Sequence, residues 1–93
     1  MVLEIALFDV TSAERFAAGF LEARSIISAA PGCRSVRMTH GIESPHRFVL
    51  LVEWDSVEAH EAFRSSEQFP EWRARIGPFF AQPPVVEHFT DVV

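Results

Sequence analysis

The order of strand-like and helix-like segments along the 93 residues favours an α+β, ferredoxin-like βαββαβ fold with a four-stranded antiparallel sheet. Segments 2–10 and 47–54 are apolar almost throughout, which is typical of central strands covered on both faces. A segment with helical spacing follows each of them. Right-handed crossovers then place both helices on one face of the sheet, with the first and third strands at its centre.

The first half of the chain starts with VLEIALFDV, residues 2–10, and passes into a helix after Thr11. Thr11 and Glu14 form the T-x-x-E pattern of a capping box, in which both side chains accept hydrogen bonds from free backbone N–H groups. The dipeptide at 31–32, Pro-Gly, ends the helix. Its apolar stripe at helical spacing comprises Phe16, Phe20, Ala23 and Ile27.

The next two strands form a predicted hairpin. Residues 33–41, CRSVRMTHG, alternate, with Val36 and Met38 on one side and mostly polar residues on the other, which indicates a strand at the edge of the sheet. The turn-prone residues 41–45 link it to RFVLLVEW, residues 47–54.

The last third of the chain carries a helix in two pieces and a final strand. Asp55 or Ser56 caps the first piece, Pro70 lies in the first turn of the second, and that piece ends near positions 77–78. Residues 85–93, VVEHFTDVV, form the final strand. The residues predicted to face inward are Ala59, Ala62 and Phe63 in the first piece and Trp72, Ile76 and Phe79 or Phe80 in the second.

Composition adds a prediction about assembly. Residues 1–93 make one domain, yet 48% of them are apolar, including nine Phe, which is a large share for a domain with so much surface. The helices cover only one face of the sheet, although the central strands are apolar on both. A second copy of the sheet is therefore expected to cover the other face in a two-fold homodimer.

Charge and cysteine content limit the possible partners and compartments. The formal net charge is −5, and the eight basic residues, all Arg, are scattered singly, so we expect no nucleic-acid partner. Cys33 has no second cysteine to pair with and suits a reducing compartment. Glu4 and Asp9 interrupt the N-terminal apolar run, which is unlike a signal peptide, and no run is long enough to span a membrane. We expect a cytoplasmic protein.

With the βαββαβ order, the step PGC at 31–33, the segment WDSVEAHEAFRSSEQFPEW at 54–72 and the tail PPVVEHF at 83–89, the chain resembles the antibiotic biosynthesis monooxygenase family of dimeric α+β barrels. The resemblance implies oxidation of a small aromatic phenol, anthrone or quinol by dioxygen, without a bound cofactor. Other relatives of this kind degrade heme. Cofactor-free chemistry is physically sensible, because an electron-rich phenolate can itself reduce dioxygen once its proton is removed and water is excluded.

The resemblance also exposes differences at the positions that carry chemistry in such relatives. Quinol-oxidising relatives have His at the position of Phe63 and a second His near Gln68. Heme-degrading relatives have Trp at Phe63 and an iron-binding His at Arg73. This chain has neither pair, but His60 lies one helical turn before Phe63 and can point into the same pocket.

The candidate catalytic residue is His60, a general base whose ordinary pKa lies close to neutrality. The alternative is a surface histidine between Glu58 and Glu61. Each pocket candidate has a functional and a structural interpretation. The aromatic residues could line the pocket and stack on a flat substrate, or they could be core or interface residues. Arg73 could bind a phenolate or carboxylate, or it could be a solvated charge near Glu71. These pocket candidates are Trp54, Phe63, Phe69, Trp72 and Arg73.

No metal site is predicted. His40 and His46 flank the hairpin turn and could face each other, but no known spacing of Cys, His and Asp supports a site. Cys33 is expected to pack as a small apolar group. The predicted function is a cofactor-independent monooxygenase. Two alternatives remain open at this point: a non-catalytic dimeric module that binds an apolar metabolite, and a heme-degrading protein.

Overall fold

The computed structural model describes residues 1–93 and confirms the ferredoxin-like α+β order. Its four strands form one antiparallel sheet in the order β2-β3-β1-β4, and its helices lie on one face. The elements are β1 (Val2–Asp9), α1 (Ala13–Ser28), β2 (Cys33–His40), β3 (Arg47–Trp54), α2 (Val57–Arg64), α3 (Gln68–Ile76), a short 3₁₀ helix (Gly77–Phe79) and β4 (Val85–Phe89).

The hydrophobic core lies between the sheet and the helices, because alternate residues of the central strands point to this covered face. In β1, Ala6 and Phe8 are buried, and they pair in register with Leu50 and Phe48 of β3. From α1, the predicted stripe that includes Phe16 packs onto them, with the Phe8 and Phe16 ring centroids 5.3 Å apart. Side chains two apart on the strands and three or four apart on the helix therefore pack together in one core.

The cap of α1 differs from the prediction. Ser12, not Thr11, is the N-cap residue, and its hydroxyl accepts a hydrogen bond from the Arg15 backbone N–H at 3.3 Å. Thr11 is held elsewhere, because its backbone N–H and its hydroxyl both donate to the carbonyl of Phe79. The T-x-x-E capping box does not form, since Glu14 becomes the second helical residue rather than the third.

The remaining boundaries agree with the sequence except at the C-terminus. Strand β2 lies at the sheet edge, as predicted, and Ser56 caps α2 through a hydrogen bond from the Ala59 backbone N–H. The final strand ends at Phe89, because β1 pairs with β4 only from Leu7 opposite Val85 to Leu3 opposite Phe89. Residues 90–93 lie outside this pairing.

The second surface of the sheet, which we call the open face, carries apolar side chains with no helix over them. Leu7, Val85 and Phe89 are 42%, 54% and 44% exposed. The register of the three pairings groups them with apolar neighbours on the adjacent strands. The apolar residues of the open face are Leu3, Ile5, Leu7, Val49, Leu51, Val85 and Phe89.

Candidate functional site

A cavity of about 180 Å³ lies between the covered face of the sheet and helices α2 and α3. Most of its wall is apolar, with side chains from β1, α1, β3, both short helices and β4. Two buried ionisable side chains, Glu4 and His60, interrupt that wall. An apolar cavity with a few convergent polar groups is typical of small-molecule sites.

Glu4 and His60 belong to a connected set of polar groups that we call the buried polar chain: Trp54, Glu4, His60 and His88. The Trp54 indole N–H donates to Glu4 Oε1 at 2.9 Å. His60 Nε2 lies 3.3 Å from the same oxygen. On the other side of the ring, His60 Nδ1 shares a hydrogen bond with His88 Nε2 at 2.7 Å. His88 is half-buried, so the chain runs from the core toward solvent at edge strand β4.

Local packing explains why these side chains meet. His60 and Phe63 are three residues apart on α2 and share its inward face. The His60 ring stacks on the Trp54 indole, with centroids 5.0 Å apart and planes at 17°. His88 stands opposite Glu4 in the register of β1 and β4. The strand pairing and the helix face therefore bring the ionisable groups to one point.

Burial is the main influence on the ionisation of the two innermost groups. It raises the pKa of Glu4, an effect that the Trp54 hydrogen bond and the positive charge of Arg64 partly offset. It lowers the pKa of His60 to about 4, and the nearby charges of His88 and Arg64 act in the same direction. Both shifts favour the uncharged form, as expected in a cavity poor in water. His60 is neutral at pH 7.

The mouth of the cavity is positively charged. Arg64 and Arg73 line it and are exposed to solvent. The Arg73 guanidinium carbon lies 5.2 Å from the centroid of the Phe80 ring and 5.9 Å from that of Phe69, a distance at which cation and ring attract each other. These contacts hold a cationic group at the wall of the cavity.

The structure brings together five of the six residues that the sequence singled out. His60, Phe63, Phe69, Trp72 and Arg73 all line the cavity. The interpretation of His60 as a surface histidine is wrong, since only 4% of it is exposed.

Trp54 does not border the cavity. It is fully buried behind His60 and Glu4, where it supports the cavity wall through its hydrogen bond to Glu4 and its stacking on the His60 ring.

Two members of the buried polar chain were missed by sequence reasoning. Glu4 carried a signal, because it falls in phase with Ala6 and Phe8 on the covered side of an apolar strand, where a carboxylate is unusual. His88 carried none, since its neighbour across the strands is fixed only by the register of β4.

A larger groove of about 470 Å³ lies on the outside of the molecule, between the C-terminal end of α1 and helix α2. Its wall consists of apolar and neutral polar residues and contains no ionisable group. Phe63 forms part of both walls. We place the candidate site in the smaller cavity, because it contains the ionisable side chains that acid–base chemistry requires.

The histidines do not form a metal site. No three His, Cys, Asp or Glu side chains converge as ligands. His40 stands opposite Phe48 rather than His46, and its ring contacts the carbonyl of Pro45, whereas His46 contacts the carbonyl of Val10. The guanidinium of Arg73 has no free lone pair with which to bind iron.

The fold and the cavity between the sheet and the helices place the protein among small ferredoxin-like α+β proteins. Comparison with known proteins identifies the family. The family model described as antibiotic biosynthesis monooxygenase matches residues 1–75. The chain belongs to this family, as the resemblance predicted. None of its helices combines the length and the apolar character that crossing a membrane requires.

Individual relatives agree with this assignment. The Bacillus subtilis (strain 168) protein YczJ, whose function is uncharacterized, is 37% identical over 95 residues that cover 99% of this chain and 100% of YczJ. A crystal structure from Bordetella bronchiseptica with the same family description is 39% identical, covers 99% of this chain and 97% of that one, and superposes with a TM-score of 0.94. SnoaB, a cofactor-independent oxygenase from Streptomyces nogalater, is 14% identical and superposes with a TM-score of 0.87 over 99% and 93% of the two chains, which shows the shared fold.

Proposed function

We propose that the protein is a cofactor-independent monooxygenase that oxidises a small phenol or quinol in the cavity beneath α2 and α3. The observation that carries the proposal is the pairing of Glu4 and His60 inside an otherwise apolar wall. A hydroxyarene needs only an apolar site, removal of its proton and exclusion of water to react with dioxygen. The pair of Glu4 and His60 accepts this proton.

The overall reaction balances without a further reductant. One oxygen atom of dioxygen enters the ring of the phenol as a new carbonyl, and the other leaves as water. The ring loses two hydrogens, one from oxygen and one from carbon, and becomes a quinone. Dioxygen gains the four electrons that the ring loses, and the two hydrogens end in the water.

The size of the cavity favours a compact substrate. An engineered protein cavity of about 150 Å³ binds benzene. The cavity of about 180 Å³ therefore fits one substituted ring in its present shape. An anthrone, with three fused rings, would require Phe63 to move and join the cavity to the outer groove.

Oxygen uptake tests the proposal directly. The panel contains hydroquinones, hydroxynaphthalenes and anthrones, measured with a metal chelator present and with no flavin added. We expect uptake above the spontaneous rate, greatest for single-ring substrates, together with a quinone that carries one more oxygen atom than the substrate. His60→Gln should lower the rate by about 10²–10⁴-fold if His60 takes part in proton removal.

No uptake across the panel would reject the oxygenase. Native mass spectrometry would then identify the alternative, because a retained apolar metabolite that survives aerobic incubation unchanged indicates a binding module. Glu58→Gln serves as the matched control, since Glu58 is exposed on the same helix as His60.

We further propose that the open face is the interface of a homodimer. Its exposed leucine, valine and phenylalanine side chains form a patch that a monomer would present to water at a cost. A second copy related by a two-fold axis would bury the same patch on both molecules. Sedimentation equilibrium at micromolar concentration should give twice the 10.5 kDa chain mass, and a monomer would contradict the proposal.

A further inference from the structure

We propose that Glu4 is the catalytic residue that takes the proton from a bound hydroxyarene, and that His60 and His88 conduct this proton to water at the edge of the sheet. This inference rests on the proposed function and deepens it. It assigns an order to three ionisable groups that the sequence alone did not connect.

His60 contacts a protein group at each of its two ring nitrogens. Nε2 lies 3.3 Å from Glu4 Oε1, and Nδ1 shares a hydrogen bond of 2.7 Å with His88 Nε2. Both ring nitrogens therefore face protein groups, and neither is free to contact a substrate. A histidine engaged at both nitrogens can pass a proton on, because it can accept at one nitrogen and release from the other.

Glu4 lines the cavity, where its carboxylate can contact a bound hydroxyarene. Its Oε1 accepts the Trp54 N–H, which fixes the orientation of the carboxylate. Its Oε2 has no hydrogen-bond partner in the chain, although every fully buried side-chain nitrogen or oxygen has one. Oε2 therefore borders open space, and the cavity is the space that Glu4 lines. Burial raises the pKa of this carboxyl, which makes the carboxylate a stronger base than an exposed one.

His88 provides the way out to solvent for the proton. His88 is half-buried and lies on β4, the edge strand, whereas Glu4 and His60 are each only 4% exposed. The far nitrogen of His88, Nδ1, makes no hydrogen bond within the chain, so water can take its proton. The route from cavity to solvent thus crosses two short contacts.

Proton transfer along this route balances atom by atom. The O–H bond of the phenol breaks and an O–H bond forms at Glu4 Oε2. Once protonated, the carboxyl group accepts the Trp54 N–H more weakly, and rotation about its Cγ–Cδ bond exchanges the two oxygens and brings this proton to the position 3.3 Å from His60 Nε2. The proton passes to Nε2 while the Nδ1 proton of His60 passes to His88 Nε2, and His88 releases its Nδ1 proton to water. No electrons are transferred in these steps. The later formation of water from dioxygen consumes protons, and their return along the same path restores the original tautomers.

The charged groups around His60 are compatible with this route. Glu4 approaches from β1, His88 from β4, Arg64 from the same helix, and Arg73 from α3 at the cavity mouth. Strand β3 contributes the uncharged Trp54. The two guanidinium groups offset the negative charge of a phenolate beside Glu4.

The test uses 4-nitrophenol under anaerobic conditions, so that it does not depend on oxidation. This single-ring phenol turns yellow when it ionises. At a pH below the ordinary pKa of the free phenol, we expect binding to the wild-type protein to produce yellow phenolate. Glu4→Gln keeps the side-chain shape and an acceptor for the Trp54 N–H, and it should lower the bound phenolate fraction at least tenfold.

The roles of His60 and His88 are tested by the rate at which phenolate forms. In stopped-flow mixing, His88→Gln should slow the appearance of phenolate about tenfold, and imidazole added to the buffer should restore the rate. His60→Gln should slow it similarly without rescue, because added imidazole cannot reach a buried position. Glu58→Gln, the exposed control on α2, should behave as wild type. Thermal unfolding confirms that each variant is folded.

Three results would overturn the proposal: no bound phenolate in the wild type, an unchanged phenolate fraction in Glu4→Gln, or an unchanged rate in His88→Gln. The outcome is separable from the proposed function. Phenolate formation without oxygen uptake would reject the oxygenase and leave the proton path standing.

Discussion

The two faces of the sheet reverse the usual arrangement of polar and apolar residues. On the covered face of β1, the carboxyl group of Glu4 is almost completely buried beside Ala6. On the open face of the same strand, Leu7 is 42% exposed. Monomeric proteins more often bury the leucine and expose the carboxylate. The comparison indicates that neither face is explained by the stability of a single chain.

Each face instead indicates a different kind of partner. Burying Glu4 and His60 costs free energy, and strongly perturbed ionisable groups of this kind are concentrated at functional sites. The exposed apolar residues of the open face cost free energy until a second surface covers them. The covered face therefore suits a small ligand, and the open face suits a second copy of the chain.

The largest effect on the covered face is expected from Trp54→Ala. Removing a fully buried indole leaves a large void, which costs about 3–5 kcal/mol in the free energy of unfolding. It also removes the donor to Glu4, which adds about 1–3 kcal/mol. Trp54→Phe keeps most of the volume and should lose only the second contribution. Urea denaturation measures both, and equal losses would show that the hydrogen bond alone matters.

On the open face, Leu7→Arg should dissociate the proposed homodimer. Each protomer would bring one unpaired charge into the interface, at about 2 kcal/mol per charge, so the dimer Kd should rise about 10³-fold. Leu21→Arg is the control, because Leu21 is 69% exposed on α1, away from the sheet. Sedimentation equilibrium distinguishes the two variants. An unchanged mass for Leu7→Arg would mean that the open face is not the interface.

The pH dependence of the free energy of unfolding should reveal the lowered pKa of His60. Its pKa is about 4 in the folded protein against 6.5 ordinarily, so the unfolded chain binds the proton more readily between these values. This group therefore lowers stability as the pH falls from 6.5 to 4, by up to about 3 kcal/mol.

Glu4 acts in the opposite sense, and a variant isolates the His60 contribution. The raised pKa of Glu4 lowers stability as the pH rises above 4.5. In His60→Asn the stability difference from wild type should shift in favour of the variant as the pH falls to 4. Urea denaturation across this range measures it, and a constant difference would show that His60 titrates normally.

The smallest effect is expected at the start of the helix that carries His60. Ser56→Ala removes the N-cap hydrogen bond to the Ala59 N–H and should cost about 1 kcal/mol. Thr11→Val should cost less than Ser56→Ala, since Thr11 does not cap α1 and its hydroxyl makes only a 3.3 Å hydrogen bond to the carbonyl of Phe79. Chemical denaturation compares them, and a larger loss at Thr11 than at Ser56 would contradict the assigned caps.

The sequence predicted most of the candidate site but not its connections. His60, Phe63 and Trp72 could be found because helical spacing places them on inward faces. Whether His60 reached the core or the surface could not be decided, since acidic residues flank it in sequence and only packing against Trp54 shows which side it takes. Glu4 looked like a mere interruption of an apolar run until its strand phase could be compared with the burial of its neighbours.

What the sequence determined by itself was the periodic part of the protein. The element order, the central and edge strands, the stripe of α1 and the family follow from local patterns and motifs that a single chain displays. The tertiary structure decided whatever depends on residues far apart in sequence: the capping residue of α1, the end of β4, and the contact between Glu4, His60 and His88. These depend on register and on competition for hydrogen-bond partners, and neither is fixed until the strands have paired.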